Sequence, residues 1–170
     1  MKLRIENTWN GQPAPREMVE LSLRRSEGSL LLEVDSPFYA DPPPSVPPGS
    51  CWGLWDHEVV ELFIVGPGEK PQYTEIELGP HGHWLVLRLN GVRQVVEREL
   101  PLAFQARISS DRWTGRCTIP SEWIPEGPHR INAFAIHGVG EARRYLSMTP
   151  LPGSAPDFHQ PDQFTELELP

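Results

Sequence analysis

The chain has 170 residues, 38% hydrophobic and 22% charged, an ordinary globular balance with enough material for one domain and a real core. Its formal net charge of -8 argues against a nucleic-acid partner, whose phosphates require a basic patch, and equally against an anionic membrane surface. Twenty prolines exclude long helices and stiffen the loops.

The opening MKLRIENTWN has no apolar run of the export type, and no stretch approaches membrane-spanning length. The sequence therefore predicts a cytoplasmic, unanchored protein. Residues 2–5 read as a short strand and residues 18–23 as a second, with Val19, Leu21 and Leu23 alternating against Met18, Glu20 and Ser22. A turn over residues 24–29 leads to a strand at 30–35. Residues 37–53, with six prolines, form a long loop of the kind that is often functional in compact domains. It runs into Trp55 and is expected to wall one side of the strands that follow.

In residues 59–65, Val60, Leu62 and Ile64 alternate against Val59, Glu61, Phe63 and Val65. Across a turn-rich connection at 66–71, Thr74, Ile76 and Leu78 alternate against Tyr73, Glu75 and Glu77. Pairing the apolar sets puts Leu62 opposite Ile76 and Val60 opposite Leu78, hence Glu61 opposite Glu77 and Phe63 opposite Glu75. A slip of one residue would turn the glutamates into the core. With Gly79-Pro80-His81-Gly82 as the next turn, Leu85, Leu87 and Leu89 are expected to continue the core face, and Trp84, Val86 and Arg88 the other. Asn90-Gly91 predicts a two-residue hairpin turn into a strand over 92–100. Residues 104–108 and 112–119 form a further hairpin, 120–124 a helical turn or bend, and 130–137, 144–148 and 165–169 the closing strands. Some ten short strands without a helical run predict an all-β, two-sheet antiparallel β-sandwich, one domain over residues 1–170.

The second face thus gathers Glu61, Glu75, Glu77, Phe63, Tyr73, Trp84 and Arg88, with Trp55 and His57 at its edge by parity with Glu61. His137 joins them if the strand at 130–137 lies alongside, where Ala133 and Ala135 leave room. Like charges directly opposite one another destabilise a sheet, so the Glu61/Glu77 pair needs Arg88, another cation, a metal or a ligand.

Several segments, taken in order, resemble the family-9 carbohydrate-binding modules and the related DOMON-like β-sandwich domains. They are Asp56-His57-Glu58-Val59-Val60-Glu61-Leu62-Phe63, Tyr73-Thr74-Glu75-Ile76-Glu77, Trp113-Thr114-Gly115-Arg116-Cys117-Thr118-Ile119-Pro120, Arg130-Ile131-Asn132-Ala133-Phe134 and Phe158-His159-Gln160-Pro161-Asp162-Gln163-Phe164. Asn7-Thr8-Trp9-Asn10-Gly11, Leu54-Trp55-Asp56-His57-Glu58-Val59-Val60-Glu61 and Phe134-Ala135-Ile136-His137-Gly138 are similar to an uncharacterised protein family with bacterial and vertebrate members. The resemblance implies a stand-alone β-sandwich. By the same resemblance, a sugar would stack on aromatics and bond to neighbouring polar groups, with Glu61 and the Tyr73 strand in the matching sheet. Heme-binding DOMON relatives would need axial methionine and histidine, and no spacing among Met18, Met148 and the six histidines singles out a pair.

Three functions remain open on this face. Aromatics with carboxylates and an arginine suit a small polar ligand such as a sugar or polyol. Paired glutamates, Glu61 with Glu75 or Glu77 and His57 alongside, suit an acid–base hydrolase. An ion-paired, solvated face suits a structural or interaction module. No cofactor is expected, although the carboxylate pair also fits calcium. His81-Gly82-His83 reads as a solvent-exposed turn, and Trp113 and Trp123 as core packing. Cys51 and Cys117 read as free thiols of a reducing compartment. Nothing in the sequence specifies an oligomeric state.

Overall fold

The structure, a computed structural model, describes all 170 residues. In chain order the strands are β1 (Lys2–Ile5), β2 (Asn7–Thr8), β3 (Val19–Ser26), β4 (Ser29–Pro37), β5 (Val59–Val65), β6 (Gln72–Leu78) and β7 (Trp84–Asn90). They continue as β8 (Val95–Arg98), β9 (Phe104–Ser109), β10 (Arg112–Pro120), β11 (His129–His137), β12 (Arg144–Ser147) and β13 (Thr165–Leu167). One sheet runs β1-β3-β4-β10-β9, and the other runs β2-β12-β11-β5-β6-β7-β8, with β13 against the start of β11. Every pairing of named strands is antiparallel, as the alternation of the sequence requires. No helix is long and apolar enough to cross a membrane.

The two sheets differ in how they meet water. Along β10, Trp113, Gly115, Cys117 and Ile119 are buried, while Thr114, Arg116 and Thr118 are exposed. That is the strict alternation of a sheet with one wet side. In the other sheet all seven residues of β5 are buried. Val60, Leu62, Ile64, Ile76 and Val86 face the first sheet and pack on Leu21, Leu32 and Trp113. Phe63, Tyr73, Leu87, Leu89 and Phe134 face the opposite way, into a second apolar cluster completed by Leu151, Phe158 and Phe164. Burying each large apolar side chain there contributes about 1.5–3 kcal/mol, enough for the largely irregular stretch 151–164 to stay down as a cover.

β5 and β6 pair in the expected register, with Glu61 opposite Glu77 and Phe63 opposite Glu75. β7 does not follow the expected parity. Leu78 pairs with Trp84, so five residues, 79–83, make the turn, closed by Gly79 N–H donating to the His83 carbonyl at 2.9 Å. That extra residue reverses every side chain of the strand. Val86 lies opposite Ile76 in the sandwich core, and Leu85 and Leu87 lie opposite Glu77 and Glu75. Trp84 and Arg88 are therefore on the far side of the sheet from the glutamates. Because Leu85, Val86 and Leu87 are all buried, the sequence carries no polar mark of which side is which.

Three smaller expectations are also corrected. After Asn90 the chain takes a longer turn, with Asn90 N–H bonded to the Gln94 carbonyl and Arg93 at φ 58°, so β8 begins at Val95 instead of Val92. His83 is not exposed on its turn: it is buried under the proline loop, with Nε2 2.9 Å from the Val46 carbonyl. β11 lies beside β5 as expected, but Ala133 and Ala135 face the sandwich core while Phe134 pairs across from Glu61. Cys51 and Cys117 are both buried and unbonded to each other.

Gly138, just past β11, has φ 79°, and a Cβ there would lie 2.3 Å from the Ala142 carbonyl oxygen. Gly28, at φ 77°, has open space around it. Gly138→Ala should destabilise the fold by about 3 kcal/mol and Gly28→Ala by about 1 kcal/mol. Urea unfolding of the two variants measures the difference, and equal losses would show that the Ala142 contact carries no strain.

Candidate functional site

The second face of the β5–β6 pair carries the chemistry. Side chains at every other position bring Glu75 and Glu77 of β6 to the same side, and the register adds Glu61 of β5. All three are buried, with exposures of 2% for Glu61, 4% for Glu75 and 0% for Glu77. The expected offset from Arg88 is missing because the parity of β7 takes that residue away. Arg88 instead pairs with Glu97 on the sheet edge at 2.5 Å. One oxygen of Glu75 and both oxygens of Glu77 receive no bond from an N–H or hydroxyl group, and the two carboxyls lie within hydrogen-bond reach of each other.

Burial sets the protonation of this row. Removal from water pushes Glu75 up to about 7. It holds Glu61 and Glu77 well above the ordinary carboxylate range, and the neighbouring glutamates push the same way.

Above the row lies a cavity of about 400 Å³. Its floor is Glu61, Phe63, Glu75, Leu87 and Leu89, and its walls include Trp52, Trp55, Tyr145 and Phe158. Phe158 is held by stacking on Phe134, with ring centroids 4.0 Å apart and 8° between planes. Trp52 is 49% exposed at the rim and meets Trp55 edge-to-face at 5.1 Å. The Trp55 turn is held in place by Arg143, whose guanidinium donates to the carbonyls of Trp55 at 2.6 Å and Asp56 at 2.9 Å.

A relay closes the polar end. Arg93 N–H donates to the Tyr73 hydroxyl at 3.0 Å, and that hydroxyl lies 2.8 Å from His159 Nδ1. The Tyr73 hydroxyl and Nδ1 share one hydrogen bond, and the other ring nitrogen, Nε2, lies 3.8 Å from Glu75. Burial pushes His159 down to about 4, so the ring is neutral at physiological pH. The Arg93 guanidinium pairs with Asp157 at 2.7 Å.

The expected site residues divide accordingly. Trp55, Glu61, Phe63 and Glu75 line the cavity. Glu77 is buried beside it, and Tyr73 acts through the relay. His57 bonds through Nδ1 to the Pro42 carbonyl at 3.1 Å and does not line the cavity. Trp84 sits on the sandwich side, its indole N–H donating to the Leu100 carbonyl at 3.4 Å. His137 belongs to another cluster, 2.9 Å from Glu17 and stacked on Tyr39 at 3.5 Å.

Sequence reasoning missed Trp52, Arg93, Tyr145, Asp157, Phe158 and His159 as cavity residues. Only Phe158 and His159 carried a signal, since they open the Phe158-to-Phe164 segment whose pattern was noted for the fold. No three His, Cys, Asp or Glu side chains gather closely enough to enclose a metal ion.

No family model matches the chain. Among curated proteins it is 39% identical to the UPF0462 protein C4orf33 homolog of Danio rerio, over 99% of this chain and 89% of the relative. It is 38% identical to the human UPF0462 protein C4orf33, over 99% of this chain and 88% of the relative. Among solved structures, a Bacteroides uniformis protein provisionally described as carbohydrate-binding superposes with a TM-score of 0.75 at 16% identity. That match covers 100% of this chain and 86% of the other. A family-9 carbohydrate-binding module from Caldicellulosiruptor kristjanssonii, solved with cellotriose, superposes with a TM-score of 0.59 at 12% identity. It covers 89% of this chain and 74% of the other. At these identities the two structures show a shared β-sandwich fold.

The raised carboxyl pKa values have a definite sign for stability. An acid whose folded pKa exceeds its unfolded value stabilises fully below the unfolded value, about 4.5, and loses that contribution as pH rises through the folded value. Glu77→Gln should therefore melt about 3 °C or more above wild type near pH 8, with the gap closing toward about pH 5. Thermal melts of both proteins across this range test it, and a gap that does not change with pH would refute the burial account.

Proposed function

The chain belongs to the UPF0462 family, and we propose that it is a binding domain for a small polar molecule, carbohydrate- or polyol-like, held in the cavity above Glu61 and Glu75. The single observation that carries this reading is the lining: aromatic walls at Trp52, Trp55, Tyr145 and Phe158 above the buried carboxyls of Glu61 and Glu75. Ring faces offer large contact area with few rotors, and fixed polar groups offer bonds to hydroxyls. The volume of about 400 Å³ is within the range of small-molecule sites. The two structural neighbours, one described as carbohydrate-binding and one solved in complex with cellotriose, support the same ligand class.

A solvated interaction face fits less well, because the glutamates are neither exposed nor ion-paired. Hydrolysis is the second reading, favoured by one observation: Glu75 and Glu61 reach the same cavity as buried carboxyls, and burial holds both above the ordinary carboxylate range, where an acid can trade a proton. Against it, aromatic side chains cover the approach to the acids, as expected of a stacking platform.

The reading is tested by thermal shift with a panel of neutral and amino sugars and polyols on wild type and Trp55→Ala. At least one compound should raise the wild-type melting temperature selectively, with about tenfold weaker binding to Trp55→Ala. The clamp on this turn uses the Trp55 carbonyl, so the variant keeps its fold. A panel that leaves wild type unmoved removes the binding reading, and a bound sugar recovered cleaved establishes the hydrolytic one.

A further inference from the structure

The buried carboxyls are many more than a neutral ligand needs. Along the cavity, Glu61, Glu75 and Asp157 stand against Arg93 alone, and the Arg93–Asp157 pair cancels itself. Glu77 stands beside Glu75, and its oxygens meet no N–H, hydroxyl or cation, only the neighbouring carboxyl. Glu75, 4% exposed, lines the cavity, and one of its oxygens receives no bond from an N–H or hydroxyl group.

No cation facing the row from the other elements is bonded to it. Arg143, beyond β11, bears on Glu61 from a distance, its guanidinium hydrogen-bonded to the carbonyls of Trp55, Asp56 and Gly138, and Arg93 bears on Glu75 while paired with Asp157. From the covering segment His159 approaches Glu75 at 3.8 Å as a neutral ring. Tyr73, next on β6, spends its hydroxyl on His159 and Arg93. Arg98 lies above the rim, over the Trp52 ring at 5.3 Å.

We propose that this cavity takes the protonated amine of an amino sugar or amino polyol, seated on Glu61 and Glu75 beneath the aromatic walls, and that its binding releases protons from the carboxyl row. This rests on the reading of the cavity as a ligand site and names the ligand's charged group. An ammonium supplies what the row lacks, a cation within hydrogen-bond reach of its carboxyl oxygens. Aromatic faces add attraction for the same charge in a desolvated site. A metal ion is a poorer occupant, since the acids are strung along the strands without converging on one point.

Proton release follows from the free state. Burial keeps the row largely protonated when the cavity is empty, and a cation that favours the charged form draws protons off to the buffer. Affinity for an amine that stays protonated should therefore rise with pH, whereas a neutral polyol should show no such rise.

The probe pair is N-methyl-D-glucamine and sorbitol, which share a polyol chain and differ in the amine. Isothermal titration of the full chain should find the amine bound about tenfold more tightly than sorbitol near neutral pH. Its affinity should increase about tenfold between about pH 6 and about pH 8. The measured heat should differ between buffers of high and low ionisation enthalpy, as released protons require. Glu75→Gln should lose the preference for the amine while melting no lower than wild type. Equal binding of the two compounds, or an amine affinity independent of pH, overturns the amine assignment and leaves the polyol site standing. Calcium competing with the amine reassigns the acids to a metal. Failure of both probes and of the whole sugar panel removes the site itself.

Discussion

A sheet buried on both faces has no solvent side on which to leave a charge, and Glu61, Glu75 and Glu77 sit in the middle of such a sheet. Their backbone positions follow from the pairing that puts Val60, Leu62, Ile64 and Ile76 into the sandwich core. Satisfying that core dictates that the alternate positions point the other way. Once Phe158, Phe164 and Leu151 close over those positions, the carboxyls lose water and form no ion pair with an arginine in its place. Protonation is the cheapest state left to them. The same burial that stabilises the second apolar cluster therefore makes the carboxyl row reactive toward any cation that can reach it.

The cover over the row is built from loops that are individually fastened. Phe158 stacks on Phe134, Arg143 holds the Trp55 turn by its carbonyls, and the Tyr73–His159 bond ties the stretch after β12 to β6. The proline loop is fixed at its start by Glu58, whose carboxylate accepts the backbone N–H groups of Tyr39 at 3.1 Å and Asp41 at 3.3 Å. Desolvation raises Glu58 to about 6 even so, which places this latch among the groups that respond to mild acid. Further along, the loop passes over His83 and delivers Trp52 to the rim of the cavity. A rigid sheet carrying a cavity walled by several separately tethered loops is a common way to place a binding site on a β-sandwich.

The fold was legible because its signal is local. Alternation marked most of the strands, and the β5–β6 register followed from matching two short apolar sets. The site was legible only where that local signal reached it, at Trp55, Glu61, Phe63 and Glu75. Trp84 and Arg88 were misplaced by one residue of turn length, and no polar residue within Leu85–Leu87 (all buried) could reveal the error. His137 was misplaced because a strand's neighbour can be inferred from its pattern while the side it presents cannot. Phe158 and His159 come from a stretch that has no strand periodicity, so periodicity could not place them over β5 and β6.

By itself, then, the sequence determined an antiparallel β-sandwich and the presence of three glutamates on one side of one hairpin. Both rest on side-chain alternation, a property of neighbouring residues. Only the tertiary structure decided that this side is covered, that the glutamates form no ion pair with an arginine or lysine, and that Trp52, Arg93, Tyr145 and the 156–159 segment complete the cavity. Those outcomes depend on contacts between segments far apart in the chain, and the strength of a buried charge depends on how much water those contacts exclude.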